Sequence, residues 1–508
     1  MTAQPQPAEP FSTEHLHADL KGRSVRGGLV TLSSQGAQFL LQSISTVVLA
    51  RLLAPADFGL VAMVTAVSGL GQAFADLGLS EATIQREKIS RDQVNMLFWI
   101  NVGIGVTLML IMAGLSPALA WFYKEPRLRN IACVVSLTFL FGGLKVQHDA
   151  LLRRQMRFKA LAIRDVTAYA LAVPAAIVLA WRGAGYWALV ALPLTLNATL
   201  MVLSWAMARW MPGLPRRGAN VGPLISFGSK VAASYVVYSV NRGADGVLIG
   251  WRWGAGPLGL YSRAYNLLML PVRQLSAPAR SVAVPAFSRT QAEPERYARY
   301  YLRAVNLILW IITPVFGLLF VGAEPLIVLA LGSKWRDAAP VFQILAIAAI
   351  GQMLFETTNW LFVSRGQSKR LLAMQLILSP VIIGSFAAGL PFGIRGVAWT
   401  GSLALIALLT WVMHYAFQGT ELTLRRLAEA ILCPVSVSLG GALTAEAALH
   451  LVAPHGLGAQ LLVAGLAFAA ACGLGALAPR VRREILSFRS LAEELGFFQR
   501  GGSRAAQA

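Results

Sequence analysis

The sequence predicts an all-α polytopic membrane protein of about fourteen transmembrane helices, built as two parallel six-helix repeats followed by a C-terminal helix pair. Three observations predict it. Apolar residues make up 56% of the 508-residue chain and charged residues 13%, about half the ~25% charge of a soluble domain; mean hydropathy is +0.60. Apolar segments long enough to cross a ~30 Å hydrocarbon core, which takes roughly 20 residues, recur along the whole chain. Lys and Arg, finally, alternate in density from one connection to the next.

Residues 1–22 are polar and contain Pro, and read as a disordered cytoplasmic tail. The apolar stretch that follows is too long for a secretory signal and lacks a small-residue cleavage site. Segments near 28–50, 58–80, 94–122, 128–148, 161–181 and 185–208 form a first six, the N-lobe at 23–215. After the turn-rich Met211-Pro-Gly-Leu-Pro-Arg-Arg-Gly218 come segments near 223–250, 258–284, 302–331, 338–363, 371–391 and 395–417. These form the second six, the C-lobe at 216–420. A last pair near 427–449 and 457–478, within 421–479, precedes a basic cytoplasmic tail at 480–508 that opens Arg480-Val-Arg-Arg483.

An even number of spans puts both ends on one side, and Lys and Arg should then crowd alternate connections. Thirty-two of the 44 basic residues fall on the side of the termini and nine on the other, with Arg242, Arg263 and Arg273 left inside helices. The largest cytoplasmic group runs from Lys145 to Arg164. This split places both termini and the Arg153–Lys159 connection in the cytoplasm, and Lys124, Arg182 and Lys334 outside. It accounts for the excess of 44 Lys and Arg over 23 Asp and Glu without a nucleic-acid partner. Trp121, Tyr123, Trp181, Tyr186, Trp187, Trp251 and Trp253 fall at outer boundaries, as an aromatic belt does.

The two sixes are related. A shift of 200 residues lays Val47-Val-Leu-Ala-Arg-Leu-Leu-Ala-Pro-Ala-Asp-Phe-Gly-Leu60 on Val247-Leu-Ile-Gly-Trp-Arg-Trp-Gly-Ala-Gly-Pro-Leu-Gly-Leu260. Only Val47, Gly59 and Leu60 match their counterparts. Both stretches read as a helix end, a tight turn and a Gly-Leu that opens the next helix. An even number of helices per repeat makes the repeats parallel, related by an axis along the membrane normal.

Cys133, Cys433 and Cys472 each stand alone in an apolar run, with no paired spacing for a disulfide or a metal. No glycine loop followed by Lys-Ser/Thr is present to bind a nucleotide, so neither metal nor other cofactor is expected. What remains unusual is ionisable and polar residues within spans, which are costly there and functional candidates by default. The seventh segment carries Tyr235, Tyr238, Asn241, Arg242 and Asp245, mostly along one face, and the eighth carries Arg263, Asn266, Arg273 and Gln274 as a stripe. Guanidinium groups facing a water-filled cavity would bind phosphate or pyrophosphate through planar paired donors. The alternative is a local Arg242–Asp245 ion pair, with Arg263 or Arg273 snorkelling to an interface. Gln35, Gln38 and Gln42 stripe the first helix, either to meet sugar hydroxyls or as interhelical glue. Asp245 with Gln375 and Ser379 is a candidate coupling-cation site. Asp76, and Glu356 with Asn359, are further polar groups in spans. His148 beside Asp149 is expected at the interface next to the basic connection.

Taken together, several segments identify a family. Ala50-Arg-Leu-Leu-Ala-Pro-Ala-Asp-Phe-Gly59, Phe74-Ala-Asp-Leu-Gly-Leu79 and Ile84-Gln-Arg86 resemble the opening of the polysaccharide repeat-unit flippases. These belong to the multidrug/oligosaccharidyl-lipid/polysaccharide exporter superfamily. Leu151-Leu-Arg-Arg-Gln-Met-Arg-Phe158, Gly183-Ala-Gly-Tyr-Trp187, Gly259-Leu-Tyr-Ser-Arg-Ala-Tyr265 and Leu331-Gly-Ser-Lys-Trp335 are similar to the same branch. The likeness runs from about residue 22 to about residue 420. It implies two six-helix lobes in a V around a central cavity. It also implies alternating-access movement of undecaprenyl-pyrophosphate-linked oligosaccharides across the bacterial inner membrane. The partners it implies are that lipid-linked glycan and membrane lipids, with polysaccharide polymerase and export machinery as candidates. Its motifs assign no catalytic residues.

Two competing classes meet specific obstacles. A cation-coupled multidrug exporter of the same superfamily would want an acidic or neutral cavity, whereas the stripe here is basic. A membrane glycan polymerase or ligase would want acidic residues in a substantial outer loop, and the outer connections run to about a dozen residues. The expected activity is transport, not catalysis.

Overall fold

The computed structural model describes residues 20–72, 78–86, 89–215, 243–479, 481–482 and 484. Among them every regular element is helical: α1 (Leu20–Leu52), α2 (Pro55–Gln72), the short α3 (Leu79–Gln85), α4 (Arg91–Phe122), α5 (Arg127–Arg154), α6 (Phe158–Trp181) and α7 (Tyr186–Ala208). A helix at 243–253, α8, follows. Then come α9 (Ala255–Arg289), α10 (Pro294–Val321), α11 (Ala323–Leu331), α12 (Ala339–Ser364), α13 (Ser368–Gly389), α14 (Gly393–Phe417), α15 (Leu424–Val452) and α16 (Leu457–Ala476). Nine stretches among the described residues are long and apolar enough to cross a membrane. One of them, Ser368–Phe417, is the α13–α14 hairpin, folded back at the turn Leu390–Phe392. Of the expected 223–250 segment, only the part from 243 on lies among the described residues.

Local chemistry sets the helix ends. Ser90 caps α4 in a reciprocal box with Gln93, and the Thr423 side chain accepts from the Arg426 N–H to start α15. The expected span at 302–331 is two helices. Pro325 would clash with the carbonyl of residue 321 in a continuous helix, so α10 stops at Val321 and α11 starts after Gly322. Of the expected 58–80 segment, α2 covers the part to Gln72, and residues 73–77 lie outside the described residues. Between α4 and α5, the Glu125 carboxylate takes two bonds from the Arg127 guanidinium at 2.8 and 2.9 Å, which hold its carboxyl below the usual range.

Contacts divide the chain into two compact units, Met1–Ser262 and Arg263–Ala508. In the first, α4 and α5 approach at backbone range, because a Cβ on Gly143 would stand 2.5 Å from the Asn101 carbonyl oxygen, and one on Gly105 2.7 Å from that of Phe139. α7 packs on α5 and α6, and α1 on α6. The openings of α2 and α9 cross in a reciprocal way. A Cβ on Gly59 would fall inside the Ala255 carbonyl, and a Cβ on Gly259 inside the Pro55 carbonyl. Position 59 meets 255 and position 259 meets 55, so the 200-residue shift read from the sequence maps this contact onto itself.

In the second unit α10, α15 and α16 form a tight group, with the Phe468 ring set into the gap left by Gly317 and Gly441. Pro434 inside α15 frees the carbonyl of Ala430, one turn back, from its helical bond. Asn306 of α10 donates to that oxygen at 2.5 Å, so a proline break in one helix is sealed by a side chain of its neighbour. α12 packs against α10 and α14.

The two sixes also share a capping device. Arg157, in the connection between α5 and α6, donates to the Met207 carbonyl at the end of α7 at 2.7 Å. Arg365 and Arg370, flanking the connection between α12 and α13, donate to the Gly419 and Tyr415 carbonyls at the end of α14, both at 2.8 Å. Each guanidinium meets unpaired carbonyls at the negative end of a helix dipole.

Candidate functional site

The first unit holds a concentration of charge inside its helices that sequence reasoning placed in a loop. Lys145 and Arg164, counted among the cytoplasmic basic group, are helical. Lys145 lies nine residues before the end of α5, and Arg164 is the seventh residue of α6. At 1.5 Å rise per residue, Lys145 stands about 14 Å back along the helix.

Arg164 is 5% exposed and makes a dense set of bonds. Its Nε and Nη2 donate to Asp165 Oδ1 at 2.8 and 2.6 Å. Nη1 donates to Asp149 Oδ1 of α5 and, at 3.1 Å, to the Ser204 hydroxyl of α7. Ser204 in turn donates to Asp149 at 2.6 Å. One guanidinium on α6 thus joins α5 through the Asp149 carboxylate and α7 through the Ser204 hydroxyl, with Asp165 of its own helix as the second carboxylate. An unpaired charge here would be expensive, and the arrangement answers that by saturating the arginine. The sequence signal was an Arg-Asp pair within an apolar stretch, with a further Asp near the end of the preceding helix.

Beside this network runs a polar face. Tyr169 stands one turn beyond Asp165 on α6, and its hydroxyl accepts from Gln42 of α1 at 2.5 Å. Gln38 donates to the Ser34 hydroxyl at 3.0 Å, and Ser34 to the Ala162 carbonyl of α6 at 3.4 Å. Gln42 and Ser34 therefore each bridge α1 to α6, while Gln38 bonds to Ser34 within its own helix. Gln42 is nonetheless exposed and Gln38, Tyr169, Asp165, Asp149 and Lys145 are half-buried, so the face remains accessible.

His148, expected beside the basic connection, is enclosed by protein. It is fully buried, its ring stacked on Trp205 at 4.5 Å between centroids, with Phe98 set edge-on and Nε2 within 3.2 Å of the Trp210 carbonyl. The aromatic packing around α4, α5 and α7 draws it inward. Nearby, Arg154 closes the end of α3 by donating to the carbonyls of Thr83, at 3.0 Å, and Arg86.

Of the other expected site residues, Tyr238, Asn241 and Arg242 lie outside the described residues, as does Asp76. Arg273 is in α9, with its side chain outside the description. Arg263 is half-buried and Asn266 exposed on the same helix. Asp245 on α8 accepts from the Tyr261 hydroxyl at 3.0 Å and from the Gly246 N–H at 2.8 Å. Gln375 and Ser379 are on α13, where the Ser379 hydroxyl donates to the Gln375 carbonyl at 2.6 Å. Glu356 accepts from Asn359 at 3.3 Å on α12.

A chain with this many helices long and apolar enough to cross a membrane is a multi-pass membrane protein in class. Residues 48–340 match the polysaccharide biosynthesis protein family, more than half of the chain, and the chain belongs to that family. Teichuronic acid biosynthesis protein TuaB of Bacillus subtilis is 25% identical over 58% of this chain, and the match spans 62% of TuaB's length. Lipopolysaccharide biosynthesis protein WzxC of Escherichia coli is 23% identical over 72% of this chain and 75% of its own. Among solved structures, the lipid II flippase MurJ in an inward closed conformation superposes with a TM-score of 0.71 at 13% identity. That likeness, one of fold, covers 89% of this chain and 99% of MurJ.

Proposed function

We propose that this protein moves undecaprenyl-pyrophosphate-linked oligosaccharide repeat units from the inner to the outer leaflet of the bacterial inner membrane by alternating access, for surface or exopolysaccharide biosynthesis. The observation that carries the reading is the accessible polar face on α1, α5 and α6. Helices that otherwise expose Leu, Ile and Trp keep amides, a phenol and charges open to a polar visitor. Such a visitor needs them, since an isolated charge in hydrocarbon costs several kcal/mol or more. Family membership supports the same reading, and names the glycan class rather than its sugars.

In this proposal Arg242, Arg263 and Arg273, with Asn241, Asn266 and Tyr238, meet the pyrophosphate. Gln38 and Gln42 meet the sugars, and Asp245, Gln375 and Ser379 are candidates for a coupling cation. The test is complementation of a strain lacking its flippase. Wild-type protein restores polysaccharide export, and Arg242→Ala or Arg263→Ala, at normal membrane abundance, lowers it at least tenfold. Normal export from a clean deletion with no second flippase would overturn the function. Wild-type export by Arg263→Ala, or by Arg242→Ala/Asp245→Ala together, would remove the residue concerned from the substrate site.

The topology proposed is both termini and the Arg153–Lys159 connection in the cytoplasm. In a cysteine-free background, a single cysteine at position 156 should resist an impermeant reagent added to intact cells, and one at 182 should react. Labelling of 156 from outside would reverse the assignment.

A further inference from the structure

Lys145 is the one charged member of the α1–α5–α6 polar face with neither a hydrogen bond nor an ion pair within 4 Å among the described residues. Its surroundings explain why. Asp149, one turn further along α5, and Asp165 across on α6 each hold Oδ1 against Arg164, and Ser204 takes a further position on Asp149. Lys145 feels those two carboxylates at longer range, together with the opposing fields of Arg164 and Arg153. Two acids and two bases balance in charge, yet only one of the bases is bonded. The ammonium is left half-buried in a span with its donors unused, where an unmet charge is costly.

From Lys145 the neighbouring groups change in kind. Asp165 lies across on α6, Tyr169 one turn beyond it, and Gln42 bonds to the Tyr169 hydroxyl. A phenol and two glutamine amides offer both donors and acceptors, which suit hydroxyl-rich sugars. A cation at one end and neutral hydrogen-bonding groups at the other match a ligand whose phosphates adjoin its sugars. Lysine suits the first role, since its ammonium is a compact point charge on a flexible stem and needs no fixed approach geometry.

We propose that Lys145 is a phosphate contact for the lipid-linked substrate within the first unit. Lys145 adds a contact to the phosphates from α5, and the sugar portion runs along Tyr169 and Gln42. The inference rests on the translocation reading above and adds a binding residue to it. Arg164 does not share the role, because its donors are occupied by Asp149, Asp165 and Ser204.

The test uses the full-length protein in phosphatidylcholine nanodiscs, with farnesyl pyrophosphate, inorganic pyrophosphate and farnesol as probes. Wild-type protein should bind farnesyl pyrophosphate and not farnesol. Lys145→Gln should weaken that binding at least tenfold, and Lys145→Arg by less than threefold. Competition by inorganic pyrophosphate supports recognition through the phosphates, and its failure to compete overturns it. In unmutated protein, farnesyl pyrophosphate should slow acetylation of Lys145, followed by mass spectrometry, at least fivefold. This arm decides the matter if Lys145→Gln fails to accumulate. Wild-type affinity in Lys145→Gln, or unprotected Lys145, overturns the assignment while leaving the transport reading standing. Wild-type protein that binds neither probe, or both equally, overturns the transport reading and the assignment with it.

Discussion

Gly259→Leu is expected to abolish export and to cut the amount of folded protein in the membrane several-fold, with Gly59→Leu doing the same. At both positions the obstacle is backbone: the Pro55 carbonyl in one case and the Ala255 carbonyl in the other. A flexible side chain can rotate away from an added methyl group, but a carbonyl at a helix opening moves only if the two helices part. Overpacking a core that can repack costs about 1–3 kcal/mol, and a rigid crossing should lie at the upper end or beyond. Alanine at either position already demands the shift. Gly256 is the control, three residues earlier in the same helix and with nothing within 4 Å of an added Cβ. Fluorescence-detected gel filtration and complementation should show Gly256→Ala intact and Gly259→Leu lost. Normal export by Gly259→Leu would mean that the crossing yields at little cost.

Arg164→Met should be the most damaging charge substitution in the first unit. It leaves Asp149 and Asp165, with side chains 18% and 30% exposed, to share a space designed around a guanidinium. Breaking one side of a buried ion pair costs about 3–5 kcal/mol. The partial exposure of Asp165 argues for the lower end. Melting of the purified protein in detergent should fall by several degrees or the variant should fail to accumulate. Replacing all three together, Arg164→Met with Asp149→Asn and Asp165→Asn, should recover most of the loss, because no unpaired charge remains. Arg164→Met that melts as wild type would show the carboxylates to be independently solvated.

The apolar helices could be read from the sequence because they rest on properties that each residue carries alone. Apolar length and the sidedness of Lys and Arg need no knowledge of partners. The Gly-Leu pairs at 59–60 and 259–260 marked the repeat, but nothing in either stretch could say that the two glycines reach across to each other's turns. The ionic network was missed for a related reason. Counting Lys145 and Arg164 as loop charges is sound until helix ends are known to within a turn, and their roles depend on where α5 and α6 stop. Gln38 and Gln42 were visible as a stripe, whereas Tyr169, the partner of Gln42, sits 127 residues from it. The break between α10 and α11 was legible in principle, since Pro325 follows Gly322 at the spacing that ends a helix.

The crossing of α2 and α9 has the form of an interface between two copies of one chain. In a two-fold homodimer, residue i of one copy meets j of the other and j meets i, so a single glycine serves twice. Gly59 with Ala255 and Gly259 with Pro55 obey that rule inside one polypeptide. A six-helix ancestor pairing with itself would need one small residue at that position, and any change there would strike both sides at once. In a single chain the two sides are encoded separately, so the flanking turns can differ, Pro-Ala-Asp-Phe against Ala-Gly-Pro-Leu, while the close approach demands glycine from both.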